Sequence, residues 1–250
     1  MNNEVQIFCC SKGRAKQVST THYLRPEVMK FVVPFGEGEL YKEYNPAYEV
    51  IETPKGLKGI TKTKQWLMDS YEEFFTIDDD VTFLRKNYVD EGEEYKCTDP
   101  DMVYEIIREA ANTARQMGAK LYGFAHFRVP KCYRSAKPVM NTGFMISSSF
   151  GVLKGHKLWY DTRMNEGEDY WLSLLNGFVN RFSYIDNRFS FHTKDNFQGQ
   201  GGCNDYRTIE SMKENTLALR RAFGEAVNIK ASTNVRGKVN VGERSIKFPF

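Results

Sequence analysis

The sequence predicts an α/β domain, a mostly parallel β-sheet flanked by helices, and three observations carry that prediction. Short apolar runs alternate with helical patterns from one end of the chain to the other. The 250 residues show no internal repeat and no linker long enough to divide them, so a single domain spans 1–250. Hydrophobic residues make up 41% and charged residues 27%, enough apolar material for a core and too little net charge for a disordered chain.

The strands come first. VQIFCC (Val5 to Cys10), KFVV (Lys30 to Val33), YEVIE (Tyr48 to Glu52) and FFTI (Phe74 to Ile77) are short, β-prone and apolar, as strands buried on both faces must be. Between the third and fourth, TKTKQWLMDS reads as a short helix. The clearest helix is DPDMVYEIIREAANTARQMG: Asp99 caps it, Pro100 suits its first turn and Gly118 its exit. Val103, Ile106, Ile107, Ala110, Ala114 and Met117 form one stripe that must face the sheet. A strand is expected in KLYGFAHF (Lys120 to Phe127) and another in NTGFMIS, around Gly143 to Ser147. A helix begins near Glu166, with Trp171, Leu174, Leu175 and Phe178 at i, i+3, i+4 and i+7. RFSYID returns as a strand, a Gly-rich loop follows, and Ile209 to Phe223 forms the last helix, ended by Gly224.

Several classes are excluded or disfavoured. No apolar run approaches the ~18 residues of a membrane span. MNNEVQIFCC enters a strand at once, without a basic region or a cleavage site, so work in a cytoplasm is expected. The five cysteines are odd in number and contain no C-x-x-C pair, which points to buried or inert thiols. A net charge of +3 announces no nucleic-acid binder. FRVPKCYRSAKP nevertheless holds four bases and no acid, and the tail from Asn228 holds Lys230, Arg236, Lys238, Arg244 and Lys247 against Glu243 alone. Either segment fits a solvated loop or an anionic polymer partner.

The chemistry is signalled by FFTIDDD. Asp78, Asp79 and Asp80 stand at the carboxyl end of an apolar strand, where open α/β sheets bind ligands. Crowded carboxylates repel unless a cation compensates them. Oxygen donors on a short loop suit Mg²⁺ or Mn²⁺, which keep coordination positions for water and phosphate oxygens. An acidic turn that merely ends a strand would look the same.

The N-terminal strand leading to SKGR, the D-x-D after the fourth strand, the later GED on a helix and a late His together resemble a glycosyltransferase of GT-A type. More narrowly, IDDDV, NTGFMIS, EGEDYWL and GGCNDYR look similar to the phage DNA-base glycosyltransferases associated with TET/JBP-type hydroxylases. The resemblance implies a GT-A-like, Rossmann-type mixed sheet, with 1–125 as the nucleotide-sugar-binding half and 126–250 as the acceptor-binding and catalytic half. It also implies a sugar moved from a nucleotide-sugar donor, a UDP-sugar, to the hydroxyl of 5-hydroxymethylcytosine or 5-hydroxymethyluracil in bacteriophage DNA, in the host cytoplasm.

Within that resemblance Asp80 is the direct ligand of Mn²⁺ or Mg²⁺, Asp78 reaches the ribose or a metal-bound water, and Asp79 supports the same donor-binding loop. His192, in SFHTKDN, is the late metal or diphosphate ligand; a lone His after a strand is also an ordinary hydrogen-bonded residue. Ser11 and Arg14 fall where such enzymes hold base and phosphates, or form a polar strand-to-helix turn. Lys64 could meet the diphosphate, although TKTKQWL departs from the Ala-Arg-Asn pattern many relatives carry. Asp169 is the base for the acceptor hydroxyl and Glu168 its neighbour; acids opening a helix also satisfy its dipole. Gly143 lets sugar or acceptor approach the backbone, or marks a bulge. QGQGGCND (Gln198 to Asp205) could close over the donor.

For a duplex DNA acceptor the target hydroxyl lies on the major-groove edge. Arg128, Lys131, Arg134 and Lys137 would contact phosphates and Tyr133 could stack on a base. Two rivals keep the α/β fold: a GT-A enzyme acting on a glycan or small molecule, and a sugar-phosphate nucleotidyltransferase, for which SKGRAK supplies only a thin version of the required loop. A catalytically dead binding module is the third.

Overall fold

A computed structural model of the chain describes residues 4–89, 95–127, 130–193, 208–229, 234–235, 238–239 and 244–248. Its centre is an eight-stranded sheet. The first four strands, β1 (Ile7–Cys10), β2 (Met29–Val33), β3 (Glu49–Glu52) and β4 (Phe74–Asp78), run parallel in the order β3-β2-β1-β4. Helices α1 (Gly38–Tyr44) and α2 (Ile60–Ser70) make the crossovers to β3 and β4.

After β4 the chain turns at once into β5 (Val81–Lys86), which leaves the main sheet. It pairs antiparallel with β6 (Lys96–Cys97) and, on its other side, with β11 (Phe189–Thr193). Helix α3 (Pro100–Met117) leads to β7 (Leu121–Phe124), followed by β8 (Val139–Met140) and β9 (Ser149–Val152). Helix α4 (Glu168–Val179) precedes β10 (Tyr184–Asp186). The main sheet continues from β4 as β9-β7-β10-β8, with β9 and β8 antiparallel to their neighbours. Helix α5 (Ile209–Phe223) is followed by β12 (Val227–Ile229), β13 (Asn234–Val235), β14 (Lys238–Val239) and β15 (Arg244–Ile246); β12 pairs with β15 and β13 with β14.

Strand alternation divides the core into two layers. Ile7, Cys9, Phe31, Phe75 and Ile77 face α3, whose Val103, Ile107, Ala110 and Ala114 are buried as the stripe requires. Phe8, Cys10, Val32 and Phe74 face α2 and α4 through Leu67, Met68, Trp171, Leu172 and Leu175. With both faces covered, the central strands carry continuous apolar runs. Met117 and Phe178, the last residues of their predicted stripes, are exposed.

One expectation is corrected. NTGFMIS is not a strand: the Met145 N–H donates to Ser173 Oγ of α4 at 2.9 Å, tying this segment to a helix, and the sheet takes up SFGV as β9 instead. The thiols divide by burial. Cys9, Cys10 and Cys97 are buried, whereas Cys132 is exposed on the basic loop.

Candidate active site

The parallel strands β1, β2, β4 and β7 end at one edge of the sheet, and β9, running the other way, begins there. Topology therefore gathers Ser11, the acid turn, Ser147 and the basic loop after β7 along one rim.

The three aspartates do not act as a block. Side chains alternate across β4, so consecutive acids leave on opposite faces. Asp79 points to the side of Ser11 and Tyr41. It is almost fully buried, accepts from Ser11 Oγ, and takes a hydrogen bond from Arg14 Nη1 at 2.9 Å. Tyr41 closes the group through its contact with Ser11 Oγ at 2.5 Å, and its hydroxyl also accepts from the Arg14 N–H at 3.1 Å. Burial pushes the Tyr41 phenol up to about 12, so it stays neutral and hydrogen-bonding. Arg14 Nη1 lies 3.6 Å from Asp80 Oδ2. The turn backbone is held as well: Thr20 Oγ1 donates to the Asp78 carbonyl at 2.7 Å and the Ser19 N–H to the Asp79 carbonyl at 2.8 Å.

Asp78 leaves on the other face, toward α2 and α4. Burial raises its pKa to about 7; Lys64 pulls the other way, while Asp80, Asp79 and Glu168 add to the rise. Lys64 is 1% exposed, so it is a buried cation rather than an open hand for a ligand. Its Nζ donates to the Ser147 carbonyl at 2.9 Å and to Ser147 Oγ, and lies 3.6 Å from Glu168 Oε1. Ser147 Oγ in turn donates to Glu168 Oε1 at 2.7 Å. Burial alone would raise Glu168, yet Lys64 and Ser147 together hold its carboxyl below the usual range. Asp169 behaves oppositely: burial and then the Glu168 charge lift it well above the carboxylate range, against its own bond from the Tyr170 N–H. Two adjacent carboxyls thus have proton affinities pushed apart, the pattern expected of an acid–base site.

The remaining predicted residues are placed as follows. His192 sits on β11 opposite Phe83, its ring stacked on that ring at 4.7 Å and 9°. Among the described residues no three His, Cys, Asp or Glu side chains gather as a metal cluster, so His192 does not join Asp78 and Asp80 in a preformed set. At Gly143 the space beside the backbone is filled by Ile185 and Met140, within 3.3 Å of a would-be Cβ, rather than open to a ligand. Lys131, Arg134 and Lys137 are exposed and Tyr133 is half-buried. Arg128 and Gln198 to Asp205 lie outside the described residues. Sequence reasoning missed Tyr41, Thr20 and Ser147. Ser147 stood inside a motif already singled out, but only its partners, distant in sequence, reveal its use.

The profile of the TET-associated glycosyltransferase family matches residues 5–202. The chain belongs to this family. The match takes in the acid turn, Lys64, Ser147 and the start of α4, so the gathered rim is the family's own segment. No curated protein matches the chain. Among solved structures it is similar to S. aureus TarS 1–349, at 9% identity and a TM-score of 0.50, covering 86% of this chain and 64% of that one. The same TarS fragment in complex with UDP-GlcNAc gives 8% identity and 0.50, covering 85% and 66%. At these identities the likeness is one of fold: this member of the TET-associated glycosyltransferase family has the α/β architecture of GT-A type, and it spans just under two thirds of the first TarS fragment. No helix among the described residues is long and apolar enough to cross a membrane.

Proposed function

We propose that the chain transfers a sugar from a UDP-sugar to the hydroxyl of a 5-hydroxymethylpyrimidine in double-stranded phage DNA, using Mn²⁺ or Mg²⁺ at the acid turn. Such an acceptor puts its work in the cytoplasm of the infected host. One observation carries the reading. A half-buried Asp78, lifted to about 7 by desolvation and neighbouring acids, stands at the carboxyl end of β4 beside Asp80. Two neighbouring carboxyls on a short turn are a fitting donor set for a hard divalent ion, the rest of whose coordination comes from water and phosphate oxygens.

When bound, that ion supplies the positive charge that stabilises a departing diphosphate. Asp78 and Asp80 would hold it. Asp79, already neutralised by Arg14 and Ser11, keeps the turn rigid. Asp169 takes the proton from the acceptor hydroxyl, and its raised proton affinity suits a base working near neutral pH. Glu168, pinned by Ser147 and Lys64, stays ionised beside it. The exposed Lys131, Arg134 and Lys137 leave the sheet from the same rim and offer charge to phosphates.

The test is incubation with UDP-glucose, UDP-GlcNAc and other nucleotide sugars, with and without DNA containing 5-hydroxymethylcytosine or 5-hydroxymethyluracil, followed by mass spectrometry of the digested nucleosides. A hexose or pentose adduct on the modified base is expected, abolished by Asp80→Ala. Transfer only to a glycan or small molecule would overturn the acceptor assignment. Full activity of Asp80→Ala would overturn the site.

A further inference from the structure

The family match ends at residue 202, yet the chain beyond it grips the start of the helix that carries the proposed base. Glu166, buried just before α4, accepts from Ser211 Oγ of α5 at 2.9 Å and from Asn215 Nδ2 at 3.5 Å. Gly167 follows in the left-handed region, φ 79°, and the guanidinium of Arg244, from β15, occupies the space beside it: Nη2 is 2.5 Å from where a Cβ would stand. The same guanidinium lies 4.5 Å from the centre of the Tyr170 ring, and its Nη1 donates to Thr216 Oγ1 of α5 at 2.9 Å. Asp169 sits between these two contacts in sequence.

A cation is electrostatically misplaced at a helix N-terminus, where the dipole favours anions. The first turn of α4 provides the compensation, since Glu168 and Asp169 are both there. Glu168 already has Lys64 and Ser147. By charge, Arg244 therefore belongs with Asp169. The sequence groups Arg244 with the tail bases available for DNA phosphates; the structure sets it against the first turn of α4.

We propose that Arg244 is a positioning residue for Asp169: β15, paired with β12, brings its guanidinium over the first turn of α4, fixes that turn, and sets a cation within electrostatic reach of the carboxylate. This rests on Asp169 being the base. The groups acting on Asp169 are Glu168 beside it, Lys64 from α2, Tyr160 from the segment before α4, and Arg244. Burial and Glu168 favour its protonated form, and Arg244 and Lys64 oppose them.

The experiment is a ¹³C carboxyl NMR titration of the full chain, with the Asp169 signal identified by its loss in Asp169→Asn. In Arg244→Met the Asp169 midpoint is expected to rise by about one pH unit, and Arg244→Lys is expected to restore most of it. Thr216→Val, which cuts the tether and keeps the charge, should move the midpoint the same way by less, and it decides the matter if Arg244→Met fails to fold. Midpoints that coincide with wild type in the folded variants would overturn the proposal, as would a loss that Arg244→Lys does not repair. With UDP-GlcNAc and hydroxymethylated DNA, the acid limb of kcat/KM should shift with the NMR midpoint. A wild type silent in that assay counts against the acceptor reading, and the NMR comparison still decides Arg244.

Discussion

Replacing Lys64 with Met tests the electrostatic frame of the site most directly. The ammonium is 1% exposed, lies 3.6 Å from Glu168, and favours the ionised form of the half-buried Asp78. Its removal leaves Glu168, 13% exposed at its side chain, with its Ser147 bond but without its cation, and breaking a largely buried pair from one side costs about 3–5 kcal/mol. For a domain of this size each kcal/mol is about 2–4 °C, so the Tm of Lys64→Met should fall by roughly 6–20 °C near pH 7.5. The effect has a sign in pH. Glu168 is held below its ordinary range, so its pairing stabilises the protein above that range and is lost as pH falls through the folded value. Asp78 is raised, so its burden grows as pH climbs toward about 7, and losing Lys64 makes it heavier. Both push the same way: the Tm deficit of Lys64→Met should be largest at neutral pH and shrink toward pH 4. Lys64→Met with Glu168→Gln should recover more than half of the loss, since neither charge is then stranded. Calorimetry from pH 4 to 8 reads all of this. A single variant within a degree or two of wild type at pH 7.5, or a double variant no better than the single, would refute the reasoning.

Binding of Mn²⁺ should weaken roughly 30-fold between pH 8 and pH 5.5, because a carboxyl at about 7 must give up its proton first; isothermal titration in two buffers would detect the released proton, and a flat affinity would remove Asp78 from the ion. Gly167→Ala should cost about 1–2 kcal/mol through its left-handed φ of 79° alone, and more if the Arg244 guanidinium is displaced. Urea denaturation measures it, with no change as the contrary result. Changing Lys131 and Arg134 together to Ala should reduce the slope of log K against log salt for duplex DNA by about 1.8, two phosphate contacts' worth. An unchanged slope in a fluorescence-anisotropy series would take these side chains off the acceptor surface.

How much of this was legible in the sequence depended on how local the cause was. The bounds of α3 were readable to the residue because both ends are local chemistry. Asp99 Oδ1 accepts from the N–H groups of Asp101 and Met102, and Gly118 takes φ 77°. The end of α5 at Gly224 was readable for the same reason. Strands β5 and β11 were not, because VTFLRK and FSFHT become strands by pairing with each other across about a hundred residues. The acid turn was legible as crowding. That alternation would send Asp79 to Ser11 and Arg14, and Asp78 toward Lys64, needed the sheet. Ser147 and Arg244 had no local signal: one gains meaning from Lys64, 83 positions earlier, and the other from Gly167 and Thr216.

Charge balance links the donor and acceptor sides of the site. The tip of β4 and the first turn of α4 bring together five carboxyls, Asp78, Asp79, Asp80, Glu168 and Asp169, and the cations among them are Arg14, Lys64 and Arg244. Among the described residues the acids outnumber the cations by two. Keeping protons lowers that excess, and the proton affinities of Asp78 and Asp169, one at each end of the site, are raised. Lys64 acts on both and favours the ionised form of each. A dication at the β4 tip would offset more of that negative charge than a monovalent ion. It would also relieve Asp78 of its claim on the field of Lys64 and leave more of that field to the acids of α4. The proton affinity of Asp169 should therefore fall when Mn²⁺ binds, so the carboxyl titration repeated with and without the ion measures whether the two ends are coupled.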